Sequence, residues 1–180
     1  MDQPSQPKLK LFVSALSGKG RALRRAPKVA ALLRSQGWNV DIRVTHRSDD
    51  PAALAAACTN RWVAVLGGDG YIARIATQVG ARGGVVIPLP GGRGNDLCRC
   101  LGIGTDAIAH VRSLPMASEI CASQAGENPR IRGVDAMQVR AFNKENDGKD
   151  AAGQRPSSAK DLEEKPAQVL GIVSFGLDAL

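Results

Sequence analysis

The stretch 62–73, WVAVLGGDGYIA, constrains the fold of this chain more than any other feature. Its apolar run, Trp62 to Leu66, is typical of a parallel strand that is buried on both faces. The glycine-rich turn that follows leads directly into apolar residues at helical spacing. A strand, a glycine turn and a helix N-terminus form a cradle for an anion, because the unpaired N–H groups of the first helical turn point into it.

The turn itself, GGDG at 67–70, also contains a carboxylate. Asp69 would repel a bare phosphate, so we expect it to serve a metal ion, a hydroxyl group or a ribose. The alternative is structural, since aspartate is a preferred helix N-cap and Asp69 would then cap its own helix. This stretch alone does not decide between the two interpretations.

Strand and helix patterns alternate along the first part of the chain. Strands are predicted at 9–16, 38–45, 62–66 and 85–88, and helices at 21–36, 51–58, between Gly70 and Gly83, at 97–101 and at 106–114. This order predicts an α/β fold with an open parallel sheet and helices on both faces. We expect that unit to occupy residues 9–114.

Two more small-residue loops follow predicted strands. The loop 17–20, SGKG, offers backbone N–H groups and a lysine ammonium group to a phosphate, although it lacks the residue spacing of a Walker A motif. The structural alternative is that the serine caps the following helix and the lysine is exposed to solvent. In the loop 90–96, PGGRGND, Asn95 and Asp96 either cap a helix or bind hydroxyls and metal. The loops 67–70 and 90–96 follow successive strands, so we expect them to lie side by side at the carboxyl edge of the sheet, which is where open α/β folds bind ligands.

Composition narrows the class of partner. A formal charge of +7 favours nucleotides, phosphate, acidic lipid surfaces or nucleic acid. Aromatic residues make up 3% of the chain, which leaves few stacking platforms for bases, so we expect no nucleic-acid partner. The chain shows no bilayer-spanning run and no signal-peptide core, so we expect a cytoplasmic protein with at most peripheral contact with a membrane.

The cysteines and histidines fit no catalytic or zinc-binding pattern. Cys98 and Cys100 lie two positions apart on a predicted helix and would point to different faces. We therefore expect reduced, structural cysteines.

The last third of the chain differs in kind. Strands are predicted at 132–141 and 168–175. Between them, the segment 143–167 is densely charged and has Leu162 as its only large aliphatic residue. Such a segment cannot bury enough apolar surface to fold alone, so a disordered loop is predicted.

Taken together, the loops resemble the catalytic domain of the diacylglycerol kinases, a family grouped with the sphingosine kinases and, more distantly, the NAD kinases. The family's GGDGT loop stands here as GGDGY at 67–71, and its P-G-G-T-G-N-D-x-A-R loop as PGGRGNDLCR at 90–99. The loop 17–20 resembles part of the family's N-P-x-S-G start, and Thr45 resembles a threonine at the end of its second strand. The stretch 174–179, SFGLDA, resembles the family's S-x-G-x-D-A strand.

The resemblance implies an α/β nucleotide-binding domain followed by an antiparallel β-rich domain, which would begin within 115–180. It implies transfer of the γ-phosphoryl group of ATP, with Mg²⁺, to a lipid hydroxyl such as that of diacylglycerol. Asp69 is the implied catalytic and metal-binding residue. The residues implied to bind the nucleotide are Ser17, Gly18, Lys19, Thr45, Gly67, Gly68, Asp69, Gly70, Tyr71, Gly92, Arg93, Gly94, Asn95 and Asp96.

The sequence also departs from the family pattern. Tyr71 and Arg93 replace threonines, and Ser14 and Ala15 stand in place of Asn-Pro. The chain ends where the implied second domain has barely begun, so we expect it to bind nucleotide weakly and not to phosphorylate lipid by itself. The alternatives are a catalytically silent nucleotide-binding or interaction module of the same fold, and a related kinase with a soluble acceptor, as in the NAD kinases. The sequence fixes neither the acceptor nor the oligomeric state.

Overall fold

A computed structural model of the protein describes residues 6–122. Within this range four parallel strands form one sheet in the order β2-β1-β3-β4. The strands are β1 (Lys8–Ser14), β2 (Asn39–Thr45), β3 (Trp62–Gly67) and β4 (Val85–Pro90). The helices in the same range are α1 (Arg21–Ser35), α2 (Pro51–Ala56), α3 (Asp69–Ala81), α4 (Asp96–Cys100), α5 (Ala107–Ser113) and α6 (Ala117–Ala122). The predicted α/β fold is confirmed.

Helices cover both faces of the sheet. On one face α1, α5 and α6 pack against Leu11 and Leu66, and on the other α2, α3 and α4 pack around Phe12 and Val65. Every residue of β3 is buried. This two-sided burial explains why the strand is a continuous apolar run in the sequence.

The strand order reverses between β1 and β3. The chain runs outward from β1 to β2 and then returns past β1 to form β3. From these two central strands, α1 packs on one face and α3 on the other. The loops that follow β1 and β3 therefore flank a crevice at the carboxyl edge of the sheet, which is where open α/β sheets bind ligands.

Local signals set several element ends as predicted. Asp50 is the N-cap of α2, its side chain accepts a hydrogen bond of 2.9 Å from the Ala52 N–H, and Pro51 is the first helical residue. Other ends differ by a few residues. Strand β1 ends at Ser14 rather than at Leu16, which is exposed, and α2 ends at Ala56 rather than at Cys58.

Helix α6 is not predicted from the sequence, because it is short and places only two apolar side chains in the core. Those residues, Ala117 and Ile120, join the core beneath α1, and the Ala117 N–H donates to the Gln36 carbonyl at 2.8 Å. Helix α6 therefore packs against the same core as α1 and α5. The strands predicted at 132–141 and 168–175, the loop 143–167 and the rest of the expected second domain after residue 122 lie outside the described residues.

No helix within residues 6–122 is both long enough and apolar enough to cross a lipid bilayer.

Candidate functional site

Three glycine-rich loops meet at the carboxyl edge of the sheet. Loop 1 (17–20) lies between β1 and α1, loop 2 (67–70) spans the end of β3 and the start of α3, and loop 3 (91–95) joins β4 to α4. The Gly91 N–H donates to the Gly67 carbonyl at 2.7 Å, and the Gly68 N–H donates to Ser17 Oγ at 3.1 Å. The loops are thus hydrogen-bonded into one unit, as the strand order leads one to expect.

The loops approach so closely that side chains would not fit between them. A Cβ on Gly91 would lie 2.9 Å from the Gly67 nitrogen, and a Cβ on Gly92 would lie 2.6 Å from the Gly68 Cα. A Cβ on Gly18 would lie 2.5 Å from the Gly91 carbonyl oxygen. Gly18, Gly91 and Gly92 are therefore required by the contact between the loops, whether or not a ligand is bound.

Loop 1 turns through three consecutive residues with positive φ. Gly18, Lys19 and Gly20 have φ of 60°, 57° and 79°. A non-glycine residue in this region costs roughly 1–2 kcal/mol, and such strain is concentrated at functional sites. The turn leaves the Lys19 side chain exposed at the edge of the crevice.

Helix α1 starts with positive charge where a negative one would be favourable. It has no side-chain cap and no acidic residue in its first turn, and its first residue is Arg21. The Arg21 guanidinium donates to the Gly92 carbonyl of loop 3, while its Nε is buried without a hydrogen-bond partner in the described part of the chain. A cation at the positive end of a helix is unfavourable unless an anion is near.

Sequence reasoning missed Arg21. The signal that could have found it is the string SGKGR, in which a basic residue directly follows a glycine loop at a helix start.

Asp69 links loop 2 to the helix that follows loop 3. The N-cap of α3 is Gly68, and Asp69 is already the first helical residue. Its Oδ1 instead accepts a hydrogen bond of 3.0 Å from the Leu97 N–H, in the first turn of α4. The interpretation that Asp69 caps its own helix is therefore wrong, because Asp69 lies one position too late and the free N–H groups of α4 are within reach. Its Oδ2 makes no hydrogen bond within residues 6–122.

Asn95 holds loop 3 in shape. It is buried and left-handed, with φ of 58°. Its Oδ1 accepts from the Gly92 N–H at 2.8 Å, and its Nδ2 donates to the Gly92 carbonyl at 3.1 Å. Asp96, by contrast, is exposed and pairs with Arg99 at 3.4 Å. Arg93 is exposed at the tip of the loop and forms no ion pair within the described residues.

Tyr71 and Thr45 contact each other on the β2 side of loop 2. The hydroxyl groups of the two residues are hydrogen-bonded at 2.9 Å. The tyrosine ring lies against Gly67, where a Cβ would be 2.4 Å from Cδ1. Burial raises the pKa of Tyr71 to about 12; the bond to Thr45 opposes this rise and the Asp49 carboxylate adds to it. Tyr71 is therefore a neutral, fixed wall rather than an acid or base.

The site offers a metal ion carboxylate oxygens from Asp69 and Asp96 rather than a closed cage, because the Oδ2 atoms of both residues lie beside Gly94. The described residues contain no group of three or more potential metal ligands. Mg²⁺ is commonly held by one or two carboxylates together with substrate phosphates, and the free Oδ2 of Asp69 fits that mode. A magnesium site made of protein ligands alone does not fit the residues present in 6–122.

Cys98, the thiol beside Asp69, is not a nucleophile at this edge. All four cysteines are free, with Cys98 buried and Cys100 exposed on opposite faces of α4 as predicted. Burial, assisted by the Asp69 carboxylate, raises the pKa of the Cys98 thiol to about 12. Burial also lowers the pKa of His110, which lies in α5 away from the loops.

Comparison with known proteins identifies the family of this chain. The family model of the diacylglycerol kinase catalytic domain matches residues 8–126, which include every strand and helix of the sheet unit. The chain belongs to the diacylglycerol kinase catalytic domain family. No curated protein matches the sequence.

Solved structures with this fold include two from Bacillus anthracis str. Sterne that are described as those of a "putative diacylglycerol kinase" and of a diacylglycerol kinase. The first is 23% identical with a TM-score of 0.52 over 64% of this chain, and the second is 19% identical with a TM-score of 0.51 over 62%. At such identities the likeness shows the fold alone. The chain spans 43% and 40% of the lengths of these two relatives.

In this family member we predict that Asp69 stabilises α4 through Oδ1. Asp69→Ala should lower the free energy of unfolding by roughly 0.5–2 kcal/mol, because the Leu97 N–H loses its acceptor. Asp69→Asn should leave it nearly unchanged, because an amide oxygen caps a helix about as well. The measurement is urea denaturation, with Asp69→Asn as the matched control at the same position. Equal stabilities of Asp69→Ala and Asp69→Asn would contradict the capping role.

We also predict that the contact between loops 2 and 3 tolerates no methyl group. Gly91→Ala should lower the free energy of unfolding by about 1–3 kcal/mol, since the added Cβ meets backbone and the chain must shift. Gly80→Ala is the control, because no atom lies within 4 Å of its added Cβ and the position is helical. It should raise the stability by about 0.5–1 kcal/mol. A neutral Gly91→Ala variant would show that the loops are not packed as described.

Proposed function

We propose that the three loops bind the phosphate groups of ATP together with Mg²⁺, in a kinase that transfers the γ-phosphoryl group to a lipid hydroxyl such as that of diacylglycerol. The observation that carries this proposal is the interlocking of three glycine loops at the strand-order reversal, with cations on both sides of the crevice. The family match supports a kinase, and the loop geometry supports a phosphate ligand.

The donor set suits a polyphosphate. The first hydrogen bond within α3 runs from the Ile72 N–H to the Gly68 carbonyl at 2.9 Å, so the N–H groups of Asp69, Gly70 and Tyr71 have no partner inside the helix. Lys19 and Arg93 are both exposed and unpaired within residues 6–122. Phosphoryl transfer depends mainly on positioning and on neutralising charge, which such groups supply.

The proposed roles differ among the site residues. Lys19 and Arg93 contact phosphate directly, and the Asp69 carboxylate is the protein ligand of Mg²⁺, which neutralises phosphate charge when it is bound. The other residues of the site hold the loops or line them: Ser17, Gly18, Thr45, Gly67, Gly68, Gly70, Tyr71, Gly92, Gly94, Asn95 and Asp96. Asn95 acts through the shape of loop 3, because both ends of its amide are already bonded to Gly92.

A lipid acceptor also fits the surface beside loop 1. Leu16 is 63% exposed and Leu23 is 41% exposed. Basic side chains flank these leucines, and the Arg24 guanidinium donates to the Lys19 carbonyl at 3.2 Å. Exposed leucines among lysine and arginine residues favour the interface of an anionic membrane. We propose peripheral contact with an acidic membrane on this side.

Binding is tested by titration calorimetry with ATP and Mg²⁺ on the full chain. Lys19→Asn and Arg93→Gln should each weaken binding roughly three- to tenfold, as expected for loss of about 1 kcal/mol in one charged contact. Asparagine tolerates the left-handed backbone at position 19. The control is Arg112→Gln, at the opposite end of the sheet unit, which should bind as the unaltered chain does. Equal weakening in the control, or no binding at millimolar ATP, would contradict the proposal.

The same protein then tests lipid phosphorylation, which the sequence predicts that this chain does not carry out by itself. Radiolabelled ATP is incubated with it and with vesicles that contain diacylglycerol and an anionic phospholipid. Normal ATP binding without label on the lipid is the expected result. Label on diacylglycerol that is lost in Asp69→Asn would overturn that expectation and would exclude the silent module.

A further inference from the structure

The Tyr71 side chain lies where it can block part of a ligand from entering the crevice. It follows loop 2, yet its side chain extends toward β2, away from loop 3. The hydroxyl reaches Thr45 at the end of β2, while the ring rests on Gly67 at the end of β3. Because β1 lies between β2 and β3, the side chain extends past the carboxyl end of β1.

At the end of β2, this arrangement leaves neither a free hydroxyl group nor open space for a ligand. Thr45 is 3% exposed, and its hydroxyl lies 2.9 Å from the Tyr71 hydroxyl and 3.4 Å from the Val13 carbonyl oxygen. Ser14, the neighbouring strand end, is also buried. No hydroxyl at these two strand ends is thus both exposed and unpartnered. The half-buried tyrosine ring fills the space above Gly67.

We propose that Tyr71 is a specificity-determining residue of this site. Its ring closes the crevice on the β2 side, so that the loops take up the phosphate groups of a ligand while the nucleoside gains no contact with Thr45. This inference rests on the proposed phosphate-binding function of the loops. It predicts a site that holds ATP and an inorganic polyphosphate about equally well.

The side chain at position 71 then controls how well the site discriminates between ATP and an inorganic polyphosphate. Threonine, which has no ring, would vacate the surface of Gly67 and release the Thr45 hydroxyl for a ligand. Phenylalanine would keep the ring and remove only the hydroxyl. If the ring is the barrier, the two substitutions have different consequences, and only the smaller residue opens the crevice to the nucleoside.

The test is calorimetry on the full chain with Mg²⁺ and either ATP or inorganic tripolyphosphate. In the unaltered chain the two affinities should agree within about threefold, because the shared phosphates carry the binding. Tyr71→Thr should raise the affinity for ATP by roughly fivefold or more, a typical effect of one or two new contacts, and leave that for tripolyphosphate within about twofold. Tyr71→Phe should behave as the unaltered chain does.

The ratio of the two affinities is informative because a merely structural effect of Tyr71 would change both ligands alike. A ratio that Tyr71→Thr leaves unchanged would overturn the inference. So would an unaltered chain that binds ATP more than about tenfold tighter than tripolyphosphate, a comparison that needs no variant and stands even if Tyr71→Thr unfolds. If neither ligand binds to any folded variant, the phosphate site itself is wrong and the inference falls with it.

Discussion

The backbone contact between loops 2 and 3 sets the geometry of the whole site. The hydrogen bond from Gly91 to Gly67 extends the pairing of β3 and β4 past the last pair of strand residues, so the two loops leave the sheet already in contact. The Leu97 N–H then bonds to Asp69, which fixes the start of α4 against the start of α3. Loop 1 completes the unit through the Ser17 side chain. A rigid edge of this kind presents groups to a ligand with little cost of reorganisation.

The electrostatics of this edge favour an anionic ligand. Helix α1 begins with Arg21 in place of an acidic residue, Lys19 is held in a left-handed conformation, and Arg93 is exposed without an ion pair in the described residues. The acidic residues Asp41, Asp49, Asp50, Asp96 and Asp106 are each paired with a basic side chain. A cation at the start of a helix, such as Arg21, is unfavourable in the free protein, and an anion in the crevice would reverse that effect. The strained backbone of Lys19 lies at the same edge, and backbone strain of this kind is common at ligand sites.

Much of the fold follows from local sequence. The apolar run of β3, the aspartate-proline start of α2 and the glycine loops each predict their own structure, and the strand order predicts that the loops meet. Contacts between distant residues do not follow in this way. Two examples are the hydrogen bonds between Asp69 and Leu97 and between Tyr71 and Thr45. Both depend on the relative positions of helices and a strand end in space, which a local sequence pattern does not predict. Helix α6 escapes prediction because two buried apolar residues are too few to show a helical period.

The central claim is that the phosphate ligand lies at the carboxyl edge, between the three loops. An amide NMR titration of the labelled full chain with ATP and Mg²⁺ tests it directly. The largest shifts should fall on the amides of Gly18, Gly70 and Gly94. A polar groove also lies at the opposite, amino edge of the sheet, lined by Lys8, Asn39, Asp41, Thr59, Asn60, Arg61 and Trp62. Shifts concentrated on that groove, with the loop amides unmoved, would contradict the account.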